Sequence, residues 1–503
     1  MHMSQPDGRP SGPVAEARVP PQTQKSDDYS PCARELATFG GVDLHAANIL
    51  GTELERWMIT GPMINELGNI DIAALTRSLQ CGMHSEVRLA LDTLATLSNS
   101  PNQHHFLQLR YCDDLLDALI DCAEEQLDIL VEHTVEVADE IQLTPYEDVV
   151  RACRVDRLAV RDCPAYGTVE YNLDRAVDKL ICVTTILRNV SFPGEQNENH
   201  LLLADELVIK FICSVIRYLG TRTMLLRSPT NTLDFMKDIV VLLSNIAGAI
   251  ELPGREQALC LLNFLLAFAP SPSPFVVSGS LFFATYEPSV HSYLPHAVDS
   301  LAKLLARDEP NRGFYKAIFG LDSGSSSSHE TLTKTFALAI SPLPDKTTEN
   351  ARLPNYPSLV EVRKPFLMQG LLAAEILASM APGFESGVAK SWLSSGEGLA
   401  HNLTKLVREL SHQYEHTQLY LRGQPSRGAM RKDPELVYIV VVAVTLLRRL
   451  TEKARDPNHP SASLPKTELP TTQVLMEALS LHSPEWTKEG MLQQLSSVIH
   501  MAR

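Results

Sequence analysis

A chain of 503 residues, 44% hydrophobic and 21% charged, has the composition of a soluble protein with a large core. Its 44 Lys+Arg against 60 Asp+Glu leave a formal charge of −16. Nucleic-acid modules neutralise phosphates with a basic footprint, so a dedicated DNA-binding domain is not expected here. The 9 cysteines form no C-x-x-C pair and all precede residue 261. Several, including Cys122, Cys182, Cys213 and Cys260, sit inside apolar periodic segments. They read as small core residues of a protein in a reducing compartment, the cytosol or nucleus. Met1–Asp28 has no apolar signal core. The longest apolar run, Leu436–Leu447, falls short of the roughly 20 residues a membrane span needs.

Taken in order, residues 1–28 are rich in Pro, Gly, Gln and Ser, which predicts a disordered tail. Leu44–Trp57 is a predicted helix with Leu44, Ala47, Leu50 and Leu54 on one face. Asp71 caps the next, with Gly82 past its end, and Ser85 opens another that stops before Pro101. A long helix is expected from Asp113 or Asp114 to about Val137. Leu116, Leu119, Ile120, Leu127 and Leu130 point inward, and Asp117, Asp121, Glu124, Glu125 and Asp128 form a solvated acidic face. Thr144–Thr168 reads as a loop-like insert.

The central block is organised around Leu173–Val190, capped by Asn172 and ended by Pro193. Ile181, Val183 and Ile186 widen its apolar stripe until little polar face is left, so neighbours must cover it on more than one side. Helices are expected at Leu201–Leu219, Leu233–Ile250 and Glu256–Phe268, the last being the most buried. The segment 274–283 is either a brief strand or a loop. Further helices are expected at His291–Ala306, Asn311–Phe319, Val360–Met380, Val388–Ser411, Asp433–Arg455, Thr471–Leu481 and Lys488–Met501. Ser323–Ser328 reads as a loop, and Asp456–Pro470 as an exposed link. A Leu near an Asn recurs toward successive helix ends, at Asn99, Asn189, Asn245 and Asn263. In armadillo-type repeats such an Asn bridges adjacent repeats. The expected fold is therefore all-α, an irregular armadillo-like array. The expected domains are a core at 29–340, a proline-containing linker at 341–358 and a C-terminal helical part at 359–503 that packs on or extends the array.

Chemistry-bearing patterns are few. His412-Gln413-Tyr414-Glu415-His416 matches H-x-x-E-H, with Glu485 or Glu489 as a nominal third zinc ligand. The competing account is a polar helix end that happens to hold two His, and no metal or other cofactor is expected. The chain contains no phosphate-cradling G-x-x-x-x-G-K-[ST], no G-x-G-x-x-G and no G-x-S-x-G, so an enzyme is not expected. Two L-x-x-L-L strings, Leu262–Leu266 and Leu301–Leu305, read as core stripes. Arg217, Arg222 and Arg227 bracket the turn in IRYLGTRTMLLRSP and are the candidate partner-binding residues. The alternative role for them is to satisfy helix C-terminal carbonyls and acidic neighbours.

Four segments carry a resemblance: GGVDLHAANILGTELERW (40–57), IDIAALTRSLQCGMHSEVRLALDTLATLS (70–98), YNLDRAVDKLICVTTILRN (171–189) and YLGTRTMLLRSPTNTLDFMKDIVVLLSN (218–245). Together they resemble the C-terminal armadillo-like region of the ARID-containing subunit of the fungal SWI/SNF chromatin-remodelling complex. The resemblance is close over about 30–270 and looser beyond. It implies a nuclear, non-enzymatic scaffold that organises core subunits and the ATPase subunit and reaches chromatin through the complex. No membrane or small-molecule substrate is implied. The ARID lies N-terminal to this region in that family, and Met1–Asp28 is too short and apolar-poor to supply one. The alternative function is a general armadillo/HEAT-type adaptor outside chromatin.

Overall fold

The computed structural model describes residues 44–57, 66–99, 107–157, 163–192, 199–320, 326–343, 359–395, 398–421, 434–456, 469–479, 486 and 490–502. The expected tail, residues 344–358 of the expected linker and residues 457–468 of the second link lie outside them. The chain divides into two compact units, Met1–Gly61 and Pro62–Arg503. Of the first, helix α1 (Leu44–Trp57) is described, with Leu50 and Leu54 of its expected apolar face exposed.

Among the described residues the second unit is helical apart from one hairpin and one isolated β-bridge. Its first helices are α2 (Ile72–Gln80), α3 (His84–Ser98), α4 (Leu115–Glu132) and α5 (Tyr146–Asp156). The central set is α6 (Val169–Val190), α7 (Asn199–Leu203), α8 (Glu206–Thr221), α9 (Pro229–Ile246) and α10 (Arg255–Leu266). Beyond them come α11 (Leu294–Ala306), α12 (Asn311–Phe319), α13 (Ser326–Ile340) and α14 (Leu359–Met380). The last are α15 (Val388–Leu393), α16 (Leu399–Leu421), α17 (Pro434–Ala454), α18 (Thr472–Leu479) and α19 (Met491–Ala502).

Two rows result. In one, α3, α6, α9, α11, α14, α17 and α19 each pack on the next. In the other, α2, α4, α8, α10, α12 and α13 do the same, with α4 also on α6 and α10 on α11.

Helix α6 shows why the sequence forces this stacking. Leu173, Val177, Leu180, Val183, Ile186 and Leu187 are buried, and each such side chain gains roughly 1.5–3 kcal/mol over exposure. That area is covered by α3, α4 and α9 together. The cap is Thr168 rather than Asn172: its hydroxyl accepts from Tyr171 N–H at 3.2 Å, so the helix begins one turn earlier than expected.

Polar bonds align the first row. Asn189 Nδ2 donates to Ser98 Oγ at 3.1 Å, and Asn245 Nδ2 to Ser191 Oγ at 2.8 Å. Lys303 reaches Ser244 O at 2.5 Å, Arg307 reaches Gly248 O at 2.6 Å, and Lys453 reaches Ser379 O at 2.7 Å. Each bond joins one helix's C-terminal end to its neighbour's, so α3, α6, α9 and α11 run parallel, as do α14 and α17. Between α6 and α9 the buried Asp238 carboxylate accepts from Thr184 (3.1 Å), Thr185 (2.7 Å) and Arg188 (2.6 Å). Burial pushes its carboxyl above the usual value despite those donors. At Gly370 of α14 a Cβ would lie 2.5 Å from Ala339 O, so only glycine permits this approach to the end of α13.

Two buried asparagines lock the loops that follow α3 and α9. Asn199 donates to Leu107 O (2.9 Å) and Val190 O (3.0 Å) and accepts from Leu109 N–H (2.9 Å). Asn311 donates to Ile250 O (3.0 Å) and accepts from Leu252 N–H (2.8 Å). In each case one amide grips a carbonyl and the N–H two residues on, in the loop that follows α3 or α9.

Several expectations are corrected. The expected long helix ends at Glu132, not near Val137. The expected insert contains α5. Asp205 breaks Leu201–Leu219 by accepting from Leu207 N–H at 2.9 Å, which starts α8. A break at Gly398, in the left-handed region, divides Val388–Ser411. Helix α9 buries more side chains than α10, whose Leu259 is exposed. Residues 275–282 form the hairpin β1 (Phe275–Val277) and β2 (Ser280–Phe282) around Ser278–Gly279. Helix α13 begins inside the expected serine loop, at Ser326.

Asn311→Ala is expected to cost about 1–3 kcal/mol for each of the two backbone groups left without a partner. Asn311→Asp, which keeps an acceptor for Leu252 N–H but sets a buried carboxylate against Ile250 O, should cost at least as much. The urea midpoint followed by circular dichroism measures both, and equal midpoints for wild type and Asn311→Ala would refute the clamp.

Candidate functional site

The turn that Arg217 of α8, Arg222 and Arg227 bracket connects α8 to α9 beneath a strap, residues 133–145. The strap runs back across the end of α8. Val137 N–H donates to Thr221 O at 2.8 Å, Gln142 N–H to Gly220 O at 2.9 Å, and Thr223 N–H to Val135 O at 3.3 Å. Glu136 and Arg222 form an isolated antiparallel bridge. Gly220 makes the crossing possible, since a Cβ there would sit 2.6 Å from Ile141 Cγ2. The Val-Glu-Val at 135–137 explains the early end of α4: β-branched residues favour extended backbone, and α8 supplies hydrogen-bond partners for it.

Both ends of the strap are pinned by charge. At the first, Arg222 Nη1 donates to Val131 O (2.9 Å) and Thr134 O (2.7 Å), satisfying carbonyls at the end of α4. Its guanidinium lies 5.4 Å from the Tyr218 ring centroid, and Glu136 is 3.8 Å away. At the second, Glu147 Oε1 accepts from Ser271 N–H (2.8 Å) and His291 Nε2 (2.7 Å). Burial alone would raise the Glu147 carboxyl, but the Ser271 N–H, His291 and Arg151 together hold it below its ordinary 4.5.

The three arginines therefore differ in placement. Arg222 is mostly buried and spends its donors on the strap. Arg227, with positive φ, pairs with Asp174 and Glu170 of α6 and fixes the α8–α9 turn. Arg217 is exposed on α8 and makes no ion pair among the described residues. Sequence reasoning missed the strap and the groove beside it. That groove is about 450 Å³, with Val137, Leu143, Leu219, Met224, Met236 and Phe264 in its lining. The available sequence signals were the β-branched Val-Glu-Val at 135–137 and Gly220, far along the chain from it.

His412, Glu415 and His416 fall within α16, but their side chains lie outside the described residues, as do Glu485 and Glu489. Among the described residues no three of His, Cys, Asp and Glu are grouped to hold a metal. No helix among them is long and apolar enough to cross a membrane. Leu262, Leu265, Leu301, Leu304 and Leu305 are buried, so the L-x-x-L-L strings are core.

Side-by-side helices with a strapped, grooved flank define a stacked all-helical protein. No protein-family model matches the chain. It is 27% identical over 463 residues to SWI/SNF chromatin-remodeling complex subunit sol1 of Schizosaccharomyces pombe, covering 88% of this chain and 50% of the relative. It is also 28% identical over 147 residues to SWI/SNF chromatin-remodeling complex subunit SWI1 of Saccharomyces cerevisiae, covering 28% of this chain and 11% of the relative. The chain is homologous to these fungal SWI/SNF subunits and spans at most about half their length.

Arg222→Ala is expected to cost about 1–3 kcal/mol through the unpaired carbonyls of Val131 and Thr134. Amide exchange in 134–143 should accelerate while α11 keeps its protection; uniform acceleration would contradict a local role. Glu147 supplies a pH test. Because its folded value lies below the unfolded one, its contribution is present at neutral pH and is lost as pH falls through the folded value. Urea midpoints from about pH 6 to about pH 3 should fall more steeply for wild type than for Glu147→Gln. Parallel acid limbs would disprove the assignment.

Proposed function

We propose that the chain is a non-catalytic scaffold subunit of a SWI/SNF-type ATP-dependent chromatin-remodelling complex, acting in the nucleus in transcription regulation. The observation that carries this reading is the extent of the match to sol1: 463 residues, far more than any single motif or helix occupies. The two rows support an irregular armadillo-like array from α2 to α13, with α14, α17 and α19 extending it. In such an array each element contacts only its neighbours and presents long surfaces to partners. Those partners are the core subunits and the ATPase subunit, which supplies the hydrolysis. Chromatin is reached through the complex, in keeping with the −16 charge.

Partner contact is assigned to the corner of Arg217, Arg222 and Arg227. Arg217 offers an exposed cation, and the other two hold the surface around it in one shape. Affinity capture of the tagged chain from a fungal nuclear extract, followed by mass spectrometry, should recover SWI/SNF core subunits. Arg217→Glu should reduce that recovery without changing helicity. Recovery of none of those subunits by the wild-type chain would sink the reading.

A further inference from the structure

The groove beside the strap has a chemistry that selects its occupant. Its floor is apolar, with Leu225, Met236 and Phe264 buried, while Val137 (60% exposed) and Met224 (63%) stand at its mouth. Two large apolar side chains left in water at the rim of a cavity mark a place where another apolar group is accommodated. Glu132, Glu136, Asp139 and Glu140 of the strap and the helix before it are all exposed. No Lys or Arg occurs between Arg110 and Arg151; Glu136 has Arg222 at 3.8 Å, while Glu132, Asp139 and Glu140 make no ion pair among the described residues. Arg222 is the nearby cation in the lining, and its Nη1 is engaged by Val131 O and Thr134 O.

We infer that this groove docks a basic amphipathic segment of another protein chain. An aliphatic or aromatic side chain of that segment enters between Val137 and Met224, and its Lys or Arg residues face Glu132, Asp139 and Glu140. The charge of the rim makes the choice. Phosphate backbones, anionic lipid surfaces and acidic peptides are repelled by these carboxylates, and a purely cationic segment leaves the apolar floor unfilled. The strap is held at both ends before any partner arrives, by Arg222 and by Glu147, so little ordering cost falls on binding. This inference rests on the scaffold reading for the existence of a partner chain, but not for the chemistry of the groove.

The test uses the full chain and three fluorescein-labelled synthetic peptides of equal length: a Leu/Lys amphipathic helix former, a Ser/Lys peptide of the same charge, and a Leu/Glu counterpart. Fluorescence anisotropy should show binding of the Leu/Lys peptide at least about tenfold tighter than of either other peptide. Met224→Asp and the double change Asp139→Lys with Glu140→Lys should each weaken it by about tenfold or more. Asp117→Lys with Asp121→Lys, on the acidic face of α4, should leave it within about twofold. Raising the salt from about 0.1 M to about 1 M shortens the screening length from about 10 Å to about 3 Å and should weaken binding. Circular dichroism checks that the exposed substitutions leave the fold intact. Equal binding of the Ser/Lys peptide, equal losses in the α4 variant, or no binding of the Leu/Lys peptide would each overturn the proposal. Peptide binding together with a failed capture of SWI/SNF subunits would instead leave the groove standing and remove the scaffold reading.

Discussion

A helix that ends inside a stack leaves its last carbonyls without partners, and in this chain the neighbouring helix supplies them. Lys303 and Arg307 serve the end of α9, and Lys453 serves the end of α14. Ser98 and Ser191 receive Asn189 and Asn245 in the same manner, side chain to side chain. Ser244 and Ala381, which accept from Lys303 and Lys453, are buried, where an unsatisfied carbonyl is costly, so sliding α11 along α9 or α17 along α14 means breaking these bonds. The apolar stripes provide most of the free energy of association, but they are non-directional. The polar bonds at the row's end choose one register from many that would bury similar area.

The same rule produces the strap. Helix α4 ends against α8, and its exposed carbonyls are met by a guanidinium from the next turn of chain rather than by water. Using Arg222 in this way removes most of its donors from partner contact while creating the surface on which contact is proposed. Arg227 does likewise for the α8–α9 turn through Asp174 and Glu170. Interaction surfaces on stacked helices are thus shaped from beneath by charges that a contact inventory would assign to stability alone. The exposed carboxylates of the strap and of α4 remain in water and set the field a partner meets. Partial burial and the charges of Asp121 and Asp128 push Glu124 above its usual carboxylate value.

Periodicity made the long helices legible. Leu173–Val190 was readable as a helix needing cover on several sides, and α3, α4 and α9 supply that cover. The recurring Asn was half legible: Asn189 and Asn245 join neighbours, while Asn99 uses its backbone N–H to cap Ala95 O. The clamping roles of Asn199 and Asn311 are not legible, since an Asn opening a short helix looks like an ordinary cap and its distant backbone partners leave no local pattern. Helix α5 was hidden by its short, polar text, YEDVVRACRVD. The strap was hidden because the apolar-acidic text of 131–140 suits a helix as well as an extended segment, and only Gly220, far along the chain, decides between them. At the candidate corner the residue types were readable, but which arginine faces inward depends on tertiary contacts that spacing does not carry.

The clamps of Asn199 and Asn311 bear on how such a chain tolerates changes of length. Each amide grips a carbonyl and the N–H two residues on, so it measures the loop after α3 or α9 against a fixed template. Adding or removing one residue inside Leu107–Leu109 or Ile250–Leu252 would misplace one of the two groups by a full peptide unit. The same change a few residues outside the gripped tripeptide leaves the clamp closed. Insertions and deletions among related chains are therefore expected to collect on either side of these tripeptides and to avoid them, giving the array fixed joints separated by adjustable spacers.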